Sequence, residues 1–308
     1  MVTSSAAPAV PLSTPALWLT GAERWLMLAG LSLALGGLAG RGLARQYKGT
    51  APAPLPSPWA LRGSLLGLAA SAALLATALA GPDLAAELAR PPAAGLGRHA
   101  TVVAAVTELA CFAAAAVLLR FRQPGWSVLP LLGVVAAEGL RAHPEGMIPA
   151  AGAALTWCHL LPAVLWAGML VYTLRAAAAW RADPAAMRGL VRQYGNAAGW
   201  LFAVVIITGV LSAVLLVPLH SLLTTAYGEI LVAKAVLVAV TAGLAVAGRV
   251  WLNRRPVPGG GPALAARLEC AALATVLAVA ALLTVVSPPA KPIYPAAGTR
   301  PGAASVRP

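Results

Sequence analysis

Charged residues are scarce in this sequence. They make up 10% of its 308 residues and hydrophobic residues make up 60%, whereas a soluble globular domain has about 25% charged and about 45 to 50% apolar residues. An ordinary soluble domain is therefore excluded, and the mean hydropathy of +0.81 agrees with this. Apolar runs of about twenty residues match the roughly 30 Å of hydrocarbon that a membrane helix crosses. The composition predicts an all-α polytopic membrane protein, whose first partner is the lipid bilayer.

Cysteines are also few, and a nucleotide-binding motif does not occur in the sequence. Three cysteines, Cys111, Cys158 and Cys270, lie far apart in apolar runs without a C-x-x-C pair, so neither a disulfide framework nor a zinc ribbon is indicated. No G-x-x-x-x-G-K-[ST] motif occurs, which argues against the use of ATP. We expect a protein that is not an enzyme.

Acidic residues are outnumbered by basic ones. The 9 Asp and Glu stand against 22 Lys and Arg, which gives a net charge of +13. In a soluble protein this excess would suggest nucleic acid as a partner. In a membrane protein, however, Lys and Arg collect in cytoplasmic loops. Nucleic acid is therefore not expected as a partner.

The apolar runs predict a bundle of eight transmembrane helices. Their approximate bounds are 20–40, 59–81, 99–119, 124–141, 150–175, 196–218, 228–250 and 264–286. Four regions follow from these bounds: an N-terminal segment 1–19, helices one to four in 20–149, helices five to eight in 150–286 and a disordered tail 287–308. The Pro- and Gly-rich linkers 50–58 and 255–263 are expected to be irregular and solvent-exposed.

Loop charge predicts the orientation of these helices. Of the 22 Lys and Arg, 13 fall in one set of alternating loops, and 7 fall in the other set together with the termini. Because Lys and Arg collect in cytoplasmic loops, this partition predicts that both termini lie outside the cytoplasm.

Ionisable residues inside the predicted spans are candidate functional residues, because each costs about 2.5 to 3.5 kcal/mol at the bilayer centre. With the predicted topology, several lie in the outer half of the bundle together with two further histidines. Their imidazole and carboxylate groups, with nearby sulfur donors, are ligand types expected for copper, although no metal-binding spacing motif is present. The candidate metal ligands are His159, His143, His99, Glu108 and Glu138, and Lys234 is a further ionisable residue within a span.

These residues also have structural interpretations. Glu138 could pair with Arg141, three residues later, and Lys234 could extend to the membrane surface along its aliphatic stem. His99 also fits an interfacial position. Because His99 and Glu108 are nine residues apart, about 180° around one helix, they could share an ion only if His99 precedes the regular helix.

Four motifs in the second half of the chain follow one another in order. The string TWCHLLPAVLWAG occupies 156–168, TGVL occupies 208–211, TAYG at 225–228 precedes Lys234, and LNRR occupies 252–255. This series resembles H-L-L-A-A-x-x-W-x-G, T-G-x-x, T-x-Y-G-x-x-L-x-x-K and L-N-R of the bacterial copper resistance protein D family. His159 matches the family histidine, and the other motif residues are Trp166, Gly168, Tyr227, Gly228, Lys234 and Asn253.

The resemblance implies a function in copper handling. It implies copper ion transport across the bacterial inner membrane, with uptake into the cytoplasm through the outer-half site. The termini, which the loop charge places outside the cytoplasm, would then be periplasmic. Some relatives carry a periplasmic copper-binding domain, so we expect such a partner here as a separate protein. Two alternatives stay open: a membrane haem protein that transfers electrons, since paired histidines ligate haem, and a factor that delivers copper during oxidase assembly.

Reporter fusions test the predicted orientation. Fusions after residues 48, 185 and 258 should report a cytoplasmic position, and fusions after residues 92 and 308 a periplasmic one, because the basic loops mark the cytoplasmic side. A cytoplasmic C-terminus would contradict both the orientation and the even number of helices.

Overall fold

Helices account for almost all of the described chain. A computed structural model describes residues 15–47, 53–80, 96–141, 149–216, 224–254 and 263–283. Within these ranges the chain is 88% helical and contains no strand. The prediction of an all-α protein is therefore confirmed.

The described residues form eight helices, which we number in chain order. They are α1 (Pro15–Arg45), α2 (Ala60–Leu79), α3 (Leu96–Arg120), α4 (Val128–Arg141), α5 (Pro149–Ala179), α6 (Pro184–Leu216), α7 (Ala226–Arg254) and α8 (Ala263–Leu283). A single π-helical turn, Ser32–Gly36, interrupts α1. Each predicted helix corresponds to one of the eight.

Two helices begin earlier than the hydropathy predicts. α1 begins at Pro15, so the last residues of the expected N-terminal segment are helical, and proline is favoured in a first helical turn. α6 begins at Pro184 because the Asp183 carboxylate accepts hydrogen bonds from the backbone N–H groups of Ala185 and Ala186, at 2.9 and 3.0 Å. An aspartate in this position caps a helix. The polar stretch 184–195, expected to lie in a loop, is therefore the first part of α6.

Several helices are suited to a membrane. Five of the described spans combine enough length with a mean hydropathy of 1.4 to 2.3, and the shorter helices Val128–Gly139 and Ala271–Leu283 are also apolar. On α6 the side chains of Trp200, Ile207 and Val214 are 78%, 66% and 65% exposed. Their seven-residue spacing places them on one face of the helix, as contact with lipid requires. Insertion of all eight helices and the orientation of the termini stay predictions.

Glycines bring α1 into backbone contact with two neighbouring helices. A side-chain carbon on Gly30 would collide with the backbone of Gly63 and Gly67 in α2, and one on Gly36 would collide with the backbone of Gly168 in α5. Small residues allow such close approach, which drives helix association in bilayers. α1 is therefore held between α2 and α5.

The π-helical turn of α1 lies at its contact with α5. The carbonyl oxygen of Ser32 lies against Gly168, so a side-chain carbon at position 168 would collide with the backbone of α1. Gly40, one turn after Gly36, packs against the ring of Tyr172 in α5. The Ser32 hydroxyl donates to the carbonyl of Leu28 at 2.8 Å. The motif glycine Gly168 thus has a packing role.

Apolar side chains of several helices meet around α1. The main cluster joins α1, α2, α3, α4, α5 and α8, and α8 is also tied to α1 because the Trp25 indole N–H donates to the carbonyl of Ala274 at 3.0 Å. The central members of the cluster are Met27, Leu31, Phe112, Leu131, Val134 and Val164.

The linker 53–59 crosses the end of the bundle at which α1 and α5 end and α2 and α6 begin. The Tyr172 hydroxyl donates to the carbonyl of Pro56 at 3.0 Å, and the Trp180 indole N–H donates to the carbonyl of Ala53 at 2.8 Å. The linker is irregular, as expected, but most of it is half-buried rather than fully exposed. We call this end the arginine-rich end, after Arg41, Arg45, Arg62 and Arg175.

Replacing Gly168 by alanine should destabilise the bundle. The added methyl group would push α5 away from the carbonyl of Ser32, and overpacking of this kind costs about 1 to 3 kcal/mol. We expect a lower thermal unfolding midpoint in detergent. Gly243→Ala is the matched control, because nothing lies within 4 Å of a side-chain carbon at that helical position. Equal midpoints for the two variants would contradict the packing role of Gly168.

Candidate functional site

Four ionisable residues are buried among the first four helices. Glu23 and Arg24 lie in α1, Glu108 in α3 and Glu138 in α4, and each is at most 7% exposed. We call them the buried charge group. Ionisable side chains inside a membrane helix are rare and usually pair with one another.

An ion pair joins α1 to α4 within the buried charge group. Nη2 of Arg24 lies 2.7 Å from Oε2 of Glu138. The sequence interpretation that paired Glu138 with Arg141 looked only along one helix, whereas the structure pairs it with a residue 114 positions away. Arg24 is one of the 7 Lys and Arg that the loop count assigned to the outer loops and termini, but it is buried within α1.

The remaining members of the group lie on α1 and α3. Oε1 of Glu23 accepts a hydrogen bond of 2.9 Å from the hydroxyl of Thr77 in α2. The side chain of Glu108 is fully buried in α3. Sequence reasoning placed Glu23 on the same side as the candidate ligands but missed the contacts of Arg24 and Thr77, although the adjacent charges of Glu23 and Arg24 inside an apolar run were a signal for them.

His159 lies on α5 and faces α6. Its Nδ1 atom is 3.0 Å from the hydroxyl oxygen of Thr208, and that hydroxyl donates its hydrogen to the carbonyl of Val204 at 2.6 Å. A threonine hydroxyl has only one hydrogen, so it accepts the bond from Nδ1–H of His159. In the neutral imidazole Nε2 then keeps its lone pair, which is the state that a metal ligand needs.

Residues of two other motifs of the second half lie near this histidine. Gly209, next to Thr208, leaves room for the imidazole, since a side-chain carbon there would lie 3.1 Å from Cε1 of His159. Lys234 of α7 lies within electrostatic range of the same ring. Three helices therefore bring a histidine, a threonine–glycine pair and a lysine to one place, which we call the His159 site.

The His159 site and Glu138 lie on different sides of α5. The Trp157 indole faces α4, where its N–H is 3.2 Å from the carbonyl of Ala136 and its ring covers Gly139. His159 is two residues later, about 200° around the helix, and faces α6. No group of three or more His, Cys, Asp or Glu side chains that could hold one metal ion occurs in the described part of the chain.

Two predicted ligands cannot be placed in this arrangement. His143 lies outside the described residues, and only the backbone of His99 is described. The backbone of His99 is already helical in α3, so positions 99 and 108 are about 180° apart around the helix. His99 therefore does not precede the regular helix, which was the condition for sharing an ion with Glu108. Participation of His143 and His99 in a metal site stays a prediction.

Other motif residues have structural roles. Trp166 is buried and packs edge-on against Phe202, with ring centroids 5.4 Å apart. The hydroxyl of Thr225 accepts a 3.1 Å hydrogen bond from the backbone N–H of Gly228, which is the N-cap arrangement that begins α7. The side chains of Tyr227 and Asn253 lie outside the described residues.

Comparison with known proteins bears on the second half of the chain. Residues 188–287 match the family model described as copper resistance protein D. This region is similar to copper resistance protein D. It runs from the first turns of α6 through α8, so it contains Thr208 and Lys234, whereas His159 lies upstream of the match. The family assignment made from the motifs is confirmed, and this family relates to copper resistance and transport. No solved structure and no curated protein matches the chain.

Glu138→Gln should destabilise the protein. The change removes the carboxylate that lies 2.7 Å from the buried Arg24 guanidinium, and breaking a buried ion pair from one side costs about 3 to 5 kcal/mol. Unfolding in detergent by a chemical denaturant measures the loss.

Two further variants make this measurement specific. Glu229→Gln is the matched control, because Glu229 is exposed and its loss should leave the midpoint unchanged. The double variant Arg24→Gln/Glu138→Gln should be more stable than Glu138→Gln alone. A double variant less stable than Glu138→Gln would contradict the pairing.

Proposed function

We propose that the protein transports copper across the bacterial inner membrane, from the periplasm to the cytoplasm, with His159 as a ligand on the path. The observation that carries this proposal is the orientation of the imidazole: Nδ1–H is bound to Thr208 and Nε2 is left with its lone pair. Metal-binding histidines characteristically donate their other ring N–H to a fixed acceptor. Imidazole nitrogen is a suitable donor for copper.

The surroundings of His159 favour copper transport over copper storage. The described residues give one imidazole at this position and no cluster of three donor side chains, so copper would be held there by few protein ligands. Lys234 acts electrostatically on the same imidazole, and in its protonated form it would repel a bound cation. A transport site has to bind strongly enough for the ion to enter and weakly enough for it to leave.

The remaining ligands are proposed from the sequence. His143, His99, Glu108 and Glu138 would receive copper on the periplasmic side before it reaches His159. A separate periplasmic copper-binding protein would supply the ion. The sequence lacks an ATP-binding motif, so movement would follow an existing gradient.

Copper content of cells tests this function. At equal membrane levels, wild-type protein should raise cellular copper and copper sensitivity, whereas His159→Ala should abolish the rise because it removes the imidazole donor. Thr208→Val keeps the shape but removes the acceptor that fixes the tautomer, and loss of such a partner costs about 10- to 100-fold in metal affinity or activity. Glu138→Gln should reduce uptake less than His159→Ala. Elemental analysis measures the copper.

The control is Thr275→Val, in which the lost hydroxyl is exposed and bonds only within its own helix, to Ala271. It should behave as wild type. Equal copper content for wild type and His159→Ala would overturn the uptake proposal. Purified protein that binds copper without filling liposomes with it would favour the delivery function, and a haem absorbance band would favour electron transfer.

A further inference from the structure

Four arginines gather at the arginine-rich end of the bundle. Arg41 and Arg45 lie one turn apart in the last part of α1, and both act electrostatically on the Tyr172 hydroxyl, as does Arg175. Arg62 in turn lies within electrostatic range of Arg175. Three helices thus contribute guanidinium groups to one region.

The ring of Trp59 organises two of these guanidinium groups. Arg175 stacks over the ring at 4.1 Å from its centroid, and Arg62 lies over it at 5.8 Å. Arg175 also donates to the carbonyl of Ser57 at 2.9 Å, and Tyr172 donates to the carbonyl of Pro56 at 3.0 Å. The cluster is therefore built into the fold by the linker 53–59.

The cluster lacks an anionic partner within the described part of the chain. The ion pair between Arg24 and Glu138 lies in the buried charge group, and Asp183 at the arginine-rich end caps α6. Nε of Arg41 is buried and has no hydrogen-bond partner among the described residues. Several like charges in a partly buried region repel one another, and a bound anion would remove that repulsion.

The surface beside the cluster is apolar and exposed. Starting at Arg62, the exposed face of α2 continues through Leu65, Ala69 and Ala72 to Leu79, and Leu65 is 50% exposed. Guanidinium groups therefore lie at the end of an apolar stripe along a membrane helix. Trp59, which is 37% exposed, has the amphipathic character of residues at the membrane interface.

We propose that this end of the bundle binds the headgroup of an anionic phospholipid. The arginines would bind the phosphate through charge-assisted hydrogen bonds, and the acyl chains would lie along the exposed face of α2. Basic pockets between membrane helices are suited to such headgroups. The apolar stripe favours a lipid over a free phosphate ion.

Lipid titration of the purified full-length protein tests this site. Phosphatidylglycerol added to the protein in a non-ionic detergent should bind, and phosphatidylcholine should bind much more weakly. Arg41→Gln/Arg45→Gln should weaken phosphatidylglycerol binding by roughly 25-fold, because each arginine contributes about a fivefold gain in affinity. The control Arg120→Gln/Arg122→Gln removes the same charge at exposed positions where α3 ends and the connection to α4 begins and should bind as wild type.

The single variant Arg45→Gln covers the case in which the double variant does not fold, because Arg45 is exposed; it should lose about fivefold in affinity. Equal binding of the two lipids, or equal binding by wild type and Arg45→Gln, would overturn the proposal. If inorganic phosphate alone bound with the same dependence on Arg41 and Arg45, the site would be one for free anions and the lipid assignment would be wrong.

Discussion

Close backbone contact between α1 and its neighbours is the constraint on which the other features depend. In a bilayer, burial of apolar side chains does not drive helices together, so close packing and internal hydrogen bonds must do so. Gly30 against α2 and Gly36 against α5 provide that packing. With α1 fixed, Arg24 reaches Glu138 and the Tyr172 ring lies against Gly40. Both the buried charge group and the arginine-rich end are therefore positioned by the same helix.

The buried charge group and the His159 site differ in what their polar groups contact. In the buried charge group, Arg24 and Glu138 neutralise each other across two helices, which is the arrangement expected of a structural ion pair. At the His159 site, the hydrogen bond to Thr208 occupies Nδ1, and the lone pair of Nε2 points away from this bond. Ionisable side chains inside membrane helices are costly and mark candidate functional sites, and the ring nitrogen that Thr208 does not contact makes His159 the candidate for binding.

The number of helices was predictable and their contacts were not. An apolar run of about twenty residues is a local property that the bilayer thickness dictates, so eight runs gave eight helices. The early start of α6 depends on the Asp183 cap, which hydropathy does not measure. The Arg24–Glu138 pair spans 114 positions, and a search within one helix finds only Arg141. The motifs identified His159 and Thr208 separately, but their contact depends on which face of α5 is turned toward α6.

The π-helical turn at Ser32–Gly36 sets the rotational phase of α1. A turn of this kind holds one more residue than an α-helical turn, and one residue corresponds to about 100° of rotation. The turn therefore lets Gly30 face α2 while Gly40 faces Tyr172 of α5. Loss of a single residue from this turn would rotate everything after it, including Arg41, away from its present neighbours. The spacing from Gly30 to Gly40 is thus fixed to the residue, and homologous chains that share this packing should not gain or lose a single residue between these positions.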